Sequence, residues 1–384
     1  MATKQELIDR FKGLAPGFRK RAEAAEQARR IPPESAKELL DAGIARILMP
    51  ARFGGYGLGF DTWFDVIREI SKADAAHGWC ASLWVHHPHC LAQCPEEAQK
   101  TVWADGPDVA IAASFAPMAK VASVDGGYRV SGQSPFASGV GNSTWVFVGG
   151  MAETAGGPEW RLFLIPPGDF TVVDTWFTAG MCGTGSNTIV TDNVFVPEGL
   201  SVRLFDIREG KGPGSPLHDG PIFRTAFVTY APLTFITPML GAAQGAYEYF
   251  REWTKTRKGR DASSIAETTS IQVRLARTAA DLDAAELLLR RIVEVSQAPS
   301  PPTLELRARC MRDYARTSEL VVASIDTLIS MSGTAGFASS NPIQRAWRDI
   351  HFSSMHISLQ TEGHFSHFGR MELGLPRDPR QPYY

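Results

Sequence analysis

The stretch "GMCGTGSNTIVTDNVFVPEG", residues 180–199, joins a cluster of small residues to a run that alternates apolar and polar residues. The alternation predicts a β-strand, and the glycines before it predict a tight turn. A phosphate-binding loop would need a helix after the glycines and a Lys beside Ser or Thr, whereas here a strand follows and no Lys is present. Two explanations stay open. The segment is a turn, or its small residues offer backbone N–H groups and hydroxyls to a ligand.

Composition excludes several classes of function. The chain has 384 residues, of which 44% are hydrophobic and 21% charged, with a formal net charge of −2. This balance is typical of a globular protein and gives no reason to expect a nucleic-acid partner. The N-terminal 32 residues, which are charged and helix-like, lack the apolar core of a secretory signal. The five cysteines form no CxxC pair, so we expect reduced thiols and a cytoplasmic location.

The hydrophobic pattern predicts three units in the order helices, strands, helices. Helical periodicity dominates residues 1–118, and short alternating segments with turn residues between them occupy 119–220. Asp125-Gly126-Gly127 predicts a hairpin, and the whole strand block predicts a small β-barrel or sandwich. Residues 221–384 return to long helical periods, enough for a four-helix bundle. The apolar run at 226–250 is interrupted by prolines, so we expect a buried helix with a broken start and no membrane span.

A second small-residue loop lies in the strand block, within "SGQSPFASGVGNSTWVF" at residues 131–147. Phe136-Ala137-Ser138-Gly139 joins two expected strands, as the first loop precedes one. An aromatic residue flanks each loop, Phe136 here and Trp176 before the glycine cluster. Two such loops in one unit predict a slot for a planar ring, although aromatic flanks are more often part of a core.

Histidines are concentrated in two segments, which hold seven of the nine: "WVHHPHCLAQC" at 84–94 and "RAWRDIHFSSMHISLQTEGHFSHFGR" at 345–370. This concentration indicates acid–base chemistry. His86, Cys90 and Cys94 share a helix face, but no further ligand follows at a zinc-motif spacing, so we expect no metal. Glu362 is a second candidate base.

Several motifs together resemble the acyl-CoA dehydrogenase fold, and within it the flavin-dependent monooxygenases that take reduced flavin from a separate reductase. That branch includes the oxygenase components of 4-hydroxyphenylacetate hydroxylase, of a steroid-catabolic phenol hydroxylase and of indole-acetate and dibenzothiophene monooxygenases. The matching segments are "ILMPARFGGYGLGF", Pro95–Gln99 with Trp103, Ser114–Pro117, the glycine-rich stretch, "NPIQRAWRDIH" and "HFGRMELG". The resemblance implies an α+β fold with an N-terminal helical domain, a central β-barrel and a C-terminal four-helix bundle.

The resemblance also implies roles for individual residues. His87 and Ser114 match residues on the substrate side, where they would orient or deprotonate a phenol or an indole N–H. Ser138 matches a serine that accepts a hydrogen bond from flavin N5, and His356 matches a histidine near the flavin ring. The implied flavin contacts are Phe136, Ala137, Ser138, Trp176, Gly183, Thr184, Gly185, Ser186, His356 and, for the phosphate of a neighbouring subunit, Arg257 or Arg260. Two positions depart from the branch: Ser134 replaces a bulky aromatic residue and Cys182 replaces a common Arg.

The implied activity is hydroxylation of a small aromatic molecule with O₂ and diffusible reduced FMN or FADH₂, through a C4a-hydroperoxyflavin. The implied partners are a flavin reductase and further copies of the chain in a homotetramer. An acyl-CoA dehydrogenase that uses Glu362 as its base stays open, as do an N- or S-oxygenase of the same fold and a non-enzymatic flavin carrier or scaffold protein.

Overall fold

Five α-helices precede the sheet in the described part of the chain; the structure is a computed structural model that describes residues 2–376 and 378. They are α1 (Lys4–Ala28), α2 (Pro33–Asp41), α3 (Phe60–Ser71), α4 (Ala75–Ala92) and α5 (Glu96–Val102). Asp74 caps α4 by accepting a hydrogen bond from the His77 N–H. Every residue of α4 is buried, which explains why its sequence lacks an amphipathic pattern. Candidate site residues on α4 are therefore held inside the protein.

The strands form one mixed sheet. They are β1 (Ile111–Val124), β2 (Gly127–Ala137), β3 (Trp145–Thr154), β4 (Gly157–Ile165), β5 (Thr171–Val173), β6 (Asn187–Pro197) and β7 (Ser201–Arg203). Their order is β5-β6-β2-β1-β3-β4-β7, in which β1 and β3 are parallel and the other neighbours antiparallel. The hairpin predicted at 125–127 is confirmed, since Val124 pairs with Gly127. The central β unit, for which the pattern predicted a small barrel or sandwich, is one seven-stranded mixed sheet with β5 and β7 at the ends of its strand order.

Helices return after the sheet. They are α6 (Leu204–Arg208), α7 (Phe227–Tyr230), α8 (Leu233–Thr254), α9 (Thr269–Ser296), α10 (Leu304–Ser332), α11 (Pro342–Ser354) and α12 (Thr361–Glu372). The expected broken start of the apolar helix is the interruption between α7 and α8. The sequence pattern also predicts a last helix that begins at about residue 342. The structure has two helices there, α11 and α12, because the chain turns between Ser354 and Thr361. α8 packs against α3 and α4, so the C-terminal helices cover the N-terminal ones.

The predicted order of helices, strands and helices is confirmed. The boundaries 1–118, 119–220 and 221–384 stay a prediction; residue 118 falls inside β1. None of the helices in the described residues is both long and apolar enough to cross a membrane.

Candidate active site

The glycine-rich loop is wedged between helices. A Cβ on Gly180 would overlap the carbonyl oxygen of Arg348 on α11, and one on Gly183 would lie 2.9 Å from the Cβ of Ala76 on α4. The close approach that these two glycines permit is therefore to helices. A strand, β6, follows the loop, as predicted. The two small-residue loops meet because Ala137, the buried last residue of β2, pairs with Asn187.

Three hydroxyls join the two loops in a chain that we call the hydroxyl relay, comprising Trp79, Ser138, Ser186, Thr184 and Met181. Trp79 Nε1 lies 3.1 Å from Ser138 Oγ, which lies 2.7 Å from Ser186 Oγ. Ser186 Oγ is 2.7 Å from Thr184 Oγ1, and Thr184 Oγ1 donates to the Met181 carbonyl at 2.8 Å. All three hydroxyl residues are buried.

The two ends of the hydroxyl relay fix its direction. The indole N–H of Trp79 can only donate and the carbonyl of Met181 can only accept. Thr184 spends its one hydrogen on that carbonyl, so Ser186 must donate to Thr184 and Ser138 must donate to Ser186. Ser138 therefore has no hydrogen left for a ligand, but it keeps a lone pair. Toward a bound molecule it is an acceptor.

Phe136 lies beside the hydroxyl relay in an unusual conformation. Its φ is 64°, a left-handed value that a bulky residue adopts only under constraint, and its side chain is 69% exposed. Its ring meets the buried ring of Trp176 edge-on, with 6.1 Å between centroids, and Trp176 donates from Nε1 to the Met181 carbonyl. The predicted pair of aromatic flanks is thus in contact, and an exposed strained aromatic residue is a common mark of a ligand site.

His87 lies on α4, eight residues after Trp79 and about 12 Å further along the helix. Its Nδ1 is 2.6 Å from the carbonyl oxygen of Ile111, so Nδ1 carries the hydrogen and Nε2 is an acceptor. Burial lowers the pKa of His87 to about 4, which keeps the ring neutral at pH 7. Ser114 Oγ, on β1, donates to the Pro135 carbonyl at 2.7 Å and is likewise left as an acceptor.

Aromatic rings surround the α4 histidines. Phe115 lies between His87 and Phe227, with centroid distances of 5.8 Å and 6.3 Å. His86 stacks on Trp63, and the pKa of His86 is held well below its usual value by burial. Phe115 contacts the His87 ring, and its chain neighbour Ser114 bonds to the Pro135 carbonyl. His87 and Ser114 are therefore connected to the 135–138 loop.

His356 has the opposite tautomer to His87. Its Nδ1 accepts a hydrogen bond from the Ser358 N–H at 3.2 Å, so Nε2 carries the hydrogen and is a donor. The ring stacks on Phe235 with 3.7 Å between centroids and meets the edge of Trp79 at 5.9 Å. Burial lowers the pKa of His356 to about 4. Trp79 therefore contacts both Ser138 and His356, which brings these two predicted residues to one site.

The two candidate phosphate ligands differ. Arg257 donates to the carbonyls of Met331 and Ser332 at the end of α10 and stacks on Trp253, so its guanidinium already has partners. Arg260 is exposed, with no side-chain partner in the described residues. Arg260 is the freer of the two.

The remaining candidates are Glu362, Ser134 and Cys182, of which Cys182 belongs to the glycine-rich loop itself. Glu362 is exposed in the first turn of α12. Ser134 is buried on β2, and Cys182 Sγ donates to the Thr178 carbonyl at 2.9 Å. No group of three or more potential metal ligands occurs within the described residues; His86 Nε2 lies 3.4 Å from Cys90 Sγ, while Cys94 Sγ donates to the Cys90 carbonyl.

Sequence reasoning missed two residues of this site. Trp79 sets the start of the hydroxyl relay, and its spacing of eight residues from His87, which approximates two helical turns, was the available signal. Asp349 accepts a hydrogen bond from the Met181 N–H at 2.5 Å, whereas the sequence distinguishes it only as a member of the segment "NPIQRAWRDIH". No local pattern predicts that contact, because the two residues are far apart in the chain.

Known proteins share the sequence features of this fold. Residues 5–106 match the acyl-CoA dehydrogenase N-terminal domain and residues 233–361 match the acyl-CoA dehydrogenase C-terminal domain. A flavin-dependent monooxygenase, oxygenase subunit HsaA, of Rhodococcus jostii is 34% identical over 376 residues, which cover 96% of this chain and 98% of that protein. An FADH(2)-dependent resorcinol hydroxylase, oxygenase component, of Rhizobium is 34% identical over 393 residues, covering 98% and 96%.

A solved structure extends the likeness to three dimensions. XiaF from Streptomyces, in complex with FADH2 and glycerol, has a TM-score of 0.90 and 27% identity, and the match covers 97% of this chain and 96% of that one. The resemblance inferred from the motifs is confirmed, and with it the expectation of a flavin-dependent enzyme. The chain belongs to the family of flavin-dependent monooxygenase oxygenase components built on the acyl-CoA dehydrogenase fold.

Proposed function

We propose that this chain hydroxylates a small aromatic molecule that carries a hydroxyl or N–H group, using O₂ and reduced flavin supplied by a separate reductase. The observation that carries the proposal is the pair of acceptors on the substrate side. His87 donates its one ring hydrogen, on Nδ1, to the Ile111 carbonyl, and Ser114 Oγ donates its hydrogen to the Pro135 carbonyl. His87 Nε2 and Ser114 Oγ are therefore left as acceptors. A guest that satisfies them must donate, as a phenol or an indole does and a thioether does not. The pair therefore favours a phenol or indole over an S-oxygenation substrate.

The residues present fit reduced flavin. Reduced flavin has a hydrogen on N5, and Ser138 offers an acceptor that is already oriented by the hydroxyl relay. Oxidised flavin has no such hydrogen and finds no donor at Ser138. We infer that Ser138 holds N5–H while Phe136, Trp176 and the Gly183–Ser186 loop bound the ring. When bound, the flavin supplies the electrons that activate O₂.

The chain's own residues do the remaining work. His87 accepts the hydrogen bond of the substrate hydroxyl, which raises the electron density of the aromatic ring that is to be oxygenated. His356 presents an N–H donor near Trp79, suited to holding a developing negative charge on oxygen. The aromatic rings around α4 exclude water from this reaction.

Assembly and location follow the same proposal. We infer a homotetramer in which Arg260 of one subunit binds the flavin phosphate of its neighbour, while Arg257 keeps its contacts to the end of α10. Either FMN or FAD can provide that phosphate. The five cysteines are free thiols, in keeping with the expected cytoplasmic location.

The decisive experiment measures oxygen consumption and products with reduced FMN or FADH₂, a flavin reductase and a panel of phenols, indoles and thioethers. We expect hydroxylated phenol or indole, and we expect Ser138→Ala to release more H₂O₂ per flavin oxidised, about tenfold, since one hydrogen bond is lost. Ser143→Ala is the matched control, because Ser143 accepts from Trp84 on the same helix and donates to the Gly139 carbonyl outside the hydroxyl relay. Anaerobic desaturation of a thioester would contradict the proposal. So would unchanged coupling of flavin oxidation to hydroxylation, that is, a Ser138→Ala protein that releases no more H₂O₂ per flavin oxidised than the parent.

A further inference from the structure

Met181, the last acceptor of the hydroxyl relay, is held in a left-handed conformation with φ 54°. Such a conformation costs a non-glycine residue roughly 1–2 kcal/mol and persists only where the surroundings impose it. Its carbonyl accepts from Thr184 Oγ1 at 2.8 Å and from Trp176 Nε1 at 3.0 Å. Its side chain is buried. The direction of the hydroxyl relay therefore depends on a residue that would relax to another conformation if released.

Two side chains of α11 form hydrogen bonds with the backbone on both sides of Gly180. Arg348 Nη1 donates to the Ala179 carbonyl at 2.8 Å, and Asp349 Oδ1 accepts from the Met181 N–H at 2.5 Å. Gly180 lets the loop lie directly against the α11 backbone, as its Cβ would overlap the Arg348 carbonyl. Asp349 is 5% exposed, and the hydrogen bond from the Met181 N–H ties its side chain to the loop.

We propose that Asp349 is a positioning residue for the flavin site: by holding the Met181 N–H it keeps the Met181 carbonyl in place as the last acceptor of the hydroxyl relay. Without that acceptor Thr184 is free to donate elsewhere, and the hydroxyls behind it lose their fixed direction. Ser138 could then turn its hydrogen from Ser186 toward a bound molecule and act as a donor to it instead of an acceptor. We call the hydrogen bond from the Met181 N–H to Asp349 Oδ1 the anchor. The effect of the anchor on flavin chemistry rests on the proposed function, whereas the anchor itself is a property of the protein alone.

The anchor depends on an acceptor oxygen rather than on charge. Around Asp349 lie Asp74 from the cap of α4 and Glu26 from α1, with Arg348 and Arg345 from α11 and Cys182 from the loop. Burial, and next the charge of Asp74, raise the pKa of Asp349 to about 7, while the Met181 N–H and Arg348 act the other way. A protonated carboxyl still has a carbonyl oxygen that can accept from Met181. An amide side chain of the same shape should serve equally well.

Three variants separate the acceptor from the bulk and the charge. Asp349→Asn keeps an acceptor oxygen, Asp349→Leu keeps the branched shape in a larger side chain without an acceptor, and Asp349→Ala removes both the acceptor and the bulk. Asp326→Ala is the matched control, since Asp326 on α10 also accepts hydrogen bonds from two α11 residues, Trp347 and His351, and none from the loop. The first measurement is hydrogen exchange, by mass spectrometry and without flavin, of the peptide that contains residues 178–186. The second is H₂O₂ released per reduced flavin oxidised, at saturating flavin and substrate.

We expect exchange in residues 178–186 to rise about tenfold in Asp349→Leu and Asp349→Ala, the effect of losing one buried hydrogen bond, and H₂O₂ release to rise at least about threefold. Asp349→Asn and Asp326→Ala should match the parent in both measurements. Folded Leu or Ala variants with parental exchange would overturn the anchor, and faster exchange with unchanged H₂O₂ release would overturn its link to the hydroxyl relay.

The asparagine variant decides the matter if the other two do not fold. An Asp349→Asn protein that folds and keeps parental exchange and coupling supports the inference, and one that exchanges faster or loses coupling refutes it. Failure of the proposed function looks different: the parent itself would not consume O₂ with reduced flavin, while the exchange measurement would still report on the anchor.

Discussion

The hydroxyl relay and the α4 histidines are neighbouring polar regions that treat their polar groups in opposite ways. In the hydroxyl relay every hydroxyl hydrogen has an acceptor, and the chain ends at a carbonyl. On α4, Nδ1 of His86 and Nδ1 of His89 are buried with no partner in the described residues. One region is governed by the direction of hydrogen bonds and the other by desolvation.

This difference separates two ways of preparing a site. A saturated chain of hydroxyls fixes which group donates and which accepts, so its effect on a ligand is set before the ligand binds. Desolvation instead fixes protonation, because it keeps imidazoles neutral whatever the pH near 7. Removing a hydroxyl from the hydroxyl relay should change the selectivity and the fraction of flavin oxidation that yields product. Protonating the buried imidazoles should instead destabilise the fold.

Acidification should therefore act first on the histidine region, with the largest effect in free energy. Burial lowers the pKa of His87, His89 and His356 to about 4, from the ordinary imidazole value of about 6.5. The unfolded chain thus binds more protons below pH 6.5, and stability is lost as the pH falls toward 4, by about 1.4 kcal/mol per pH unit for each group. Urea unfolding between pH 7 and pH 5 should show a loss of stability, and His89→Gln should reduce its slope.

Asp349 should oppose this trend. The pKa of Asp349 is raised to about 7, so below pH 7 the folded state holds a proton that the unfolded chain gives up. Its contribution to the free energy of unfolding therefore grows as the pH falls below 7. Asp349→Asn should therefore make the acid loss steeper. Stability that is equal or higher at pH 5 than at pH 7 in the parent would contradict the assignment of neutral buried histidines.

Removing His87 should have the next largest effect. His87→Ala should lower the yield of hydroxylated product by about 10²–10⁴-fold, the usual contribution of a positioned base, while reduced flavin is still oxidised and H₂O₂ replaces product. His89→Gln is the control on the same helix, because His89 bonds to the Ile222 carbonyl instead. Parallel slowing of oxygen consumption and product formation in His87→Ala would count against a substrate-side role.

Cutting the hydroxyl relay in its middle should have a smaller effect, confined to coupling. Ser186→Ala removes the acceptor of Ser138 and the donor of Thr184, at a cost of about 1–2 kcal/mol. H₂O₂ released per flavin oxidised should rise about 5–30-fold, and the pH dependence of stability should stay as in the parent. A Ser186→Ala protein with parental coupling would show that the direction of the hydroxyl relay has no part in the reaction.

Much of the architecture could be predicted from the sequence because it follows from periodicity. The alternation in residues 187–197 gave β6, and Asp125-Gly126-Gly127 gave the β1–β2 hairpin. The sheet's edges were not predictable, since strand pairing depends on contacts between distant segments. The break between α11 and α12 was missed because helical spacing continues across it.

The candidate site was predictable as residue types but not as bonds. His87, Ser114, Ser138 and His356 were expected from resemblance, and the structure brings Ser138 and His356 together at Trp79. Which nitrogen of His87 carries the hydrogen depends on a backbone partner elsewhere in the chain, Ile111, and no local pattern encodes it. The same holds for the bond from the Met181 N–H to Asp349.

The smallest effect should come from Ser114, and it tests whether the substrate donates. Ser114 spends its hydrogen on the Pro135 carbonyl, so Ser114→Ala removes an acceptor from the site and should lower kcat/KM for a phenol about fivefold, equivalent to about 1 kcal/mol. Ser114→Thr keeps the hydroxyl and should keep the parental value. A methoxy analogue of the same substrate has no hydrogen to donate, so Ser114→Ala should not change its residual oxidation. An equal loss for phenol and methoxy analogue would mean that Ser114 supports the 135–138 loop and does not contact the substrate.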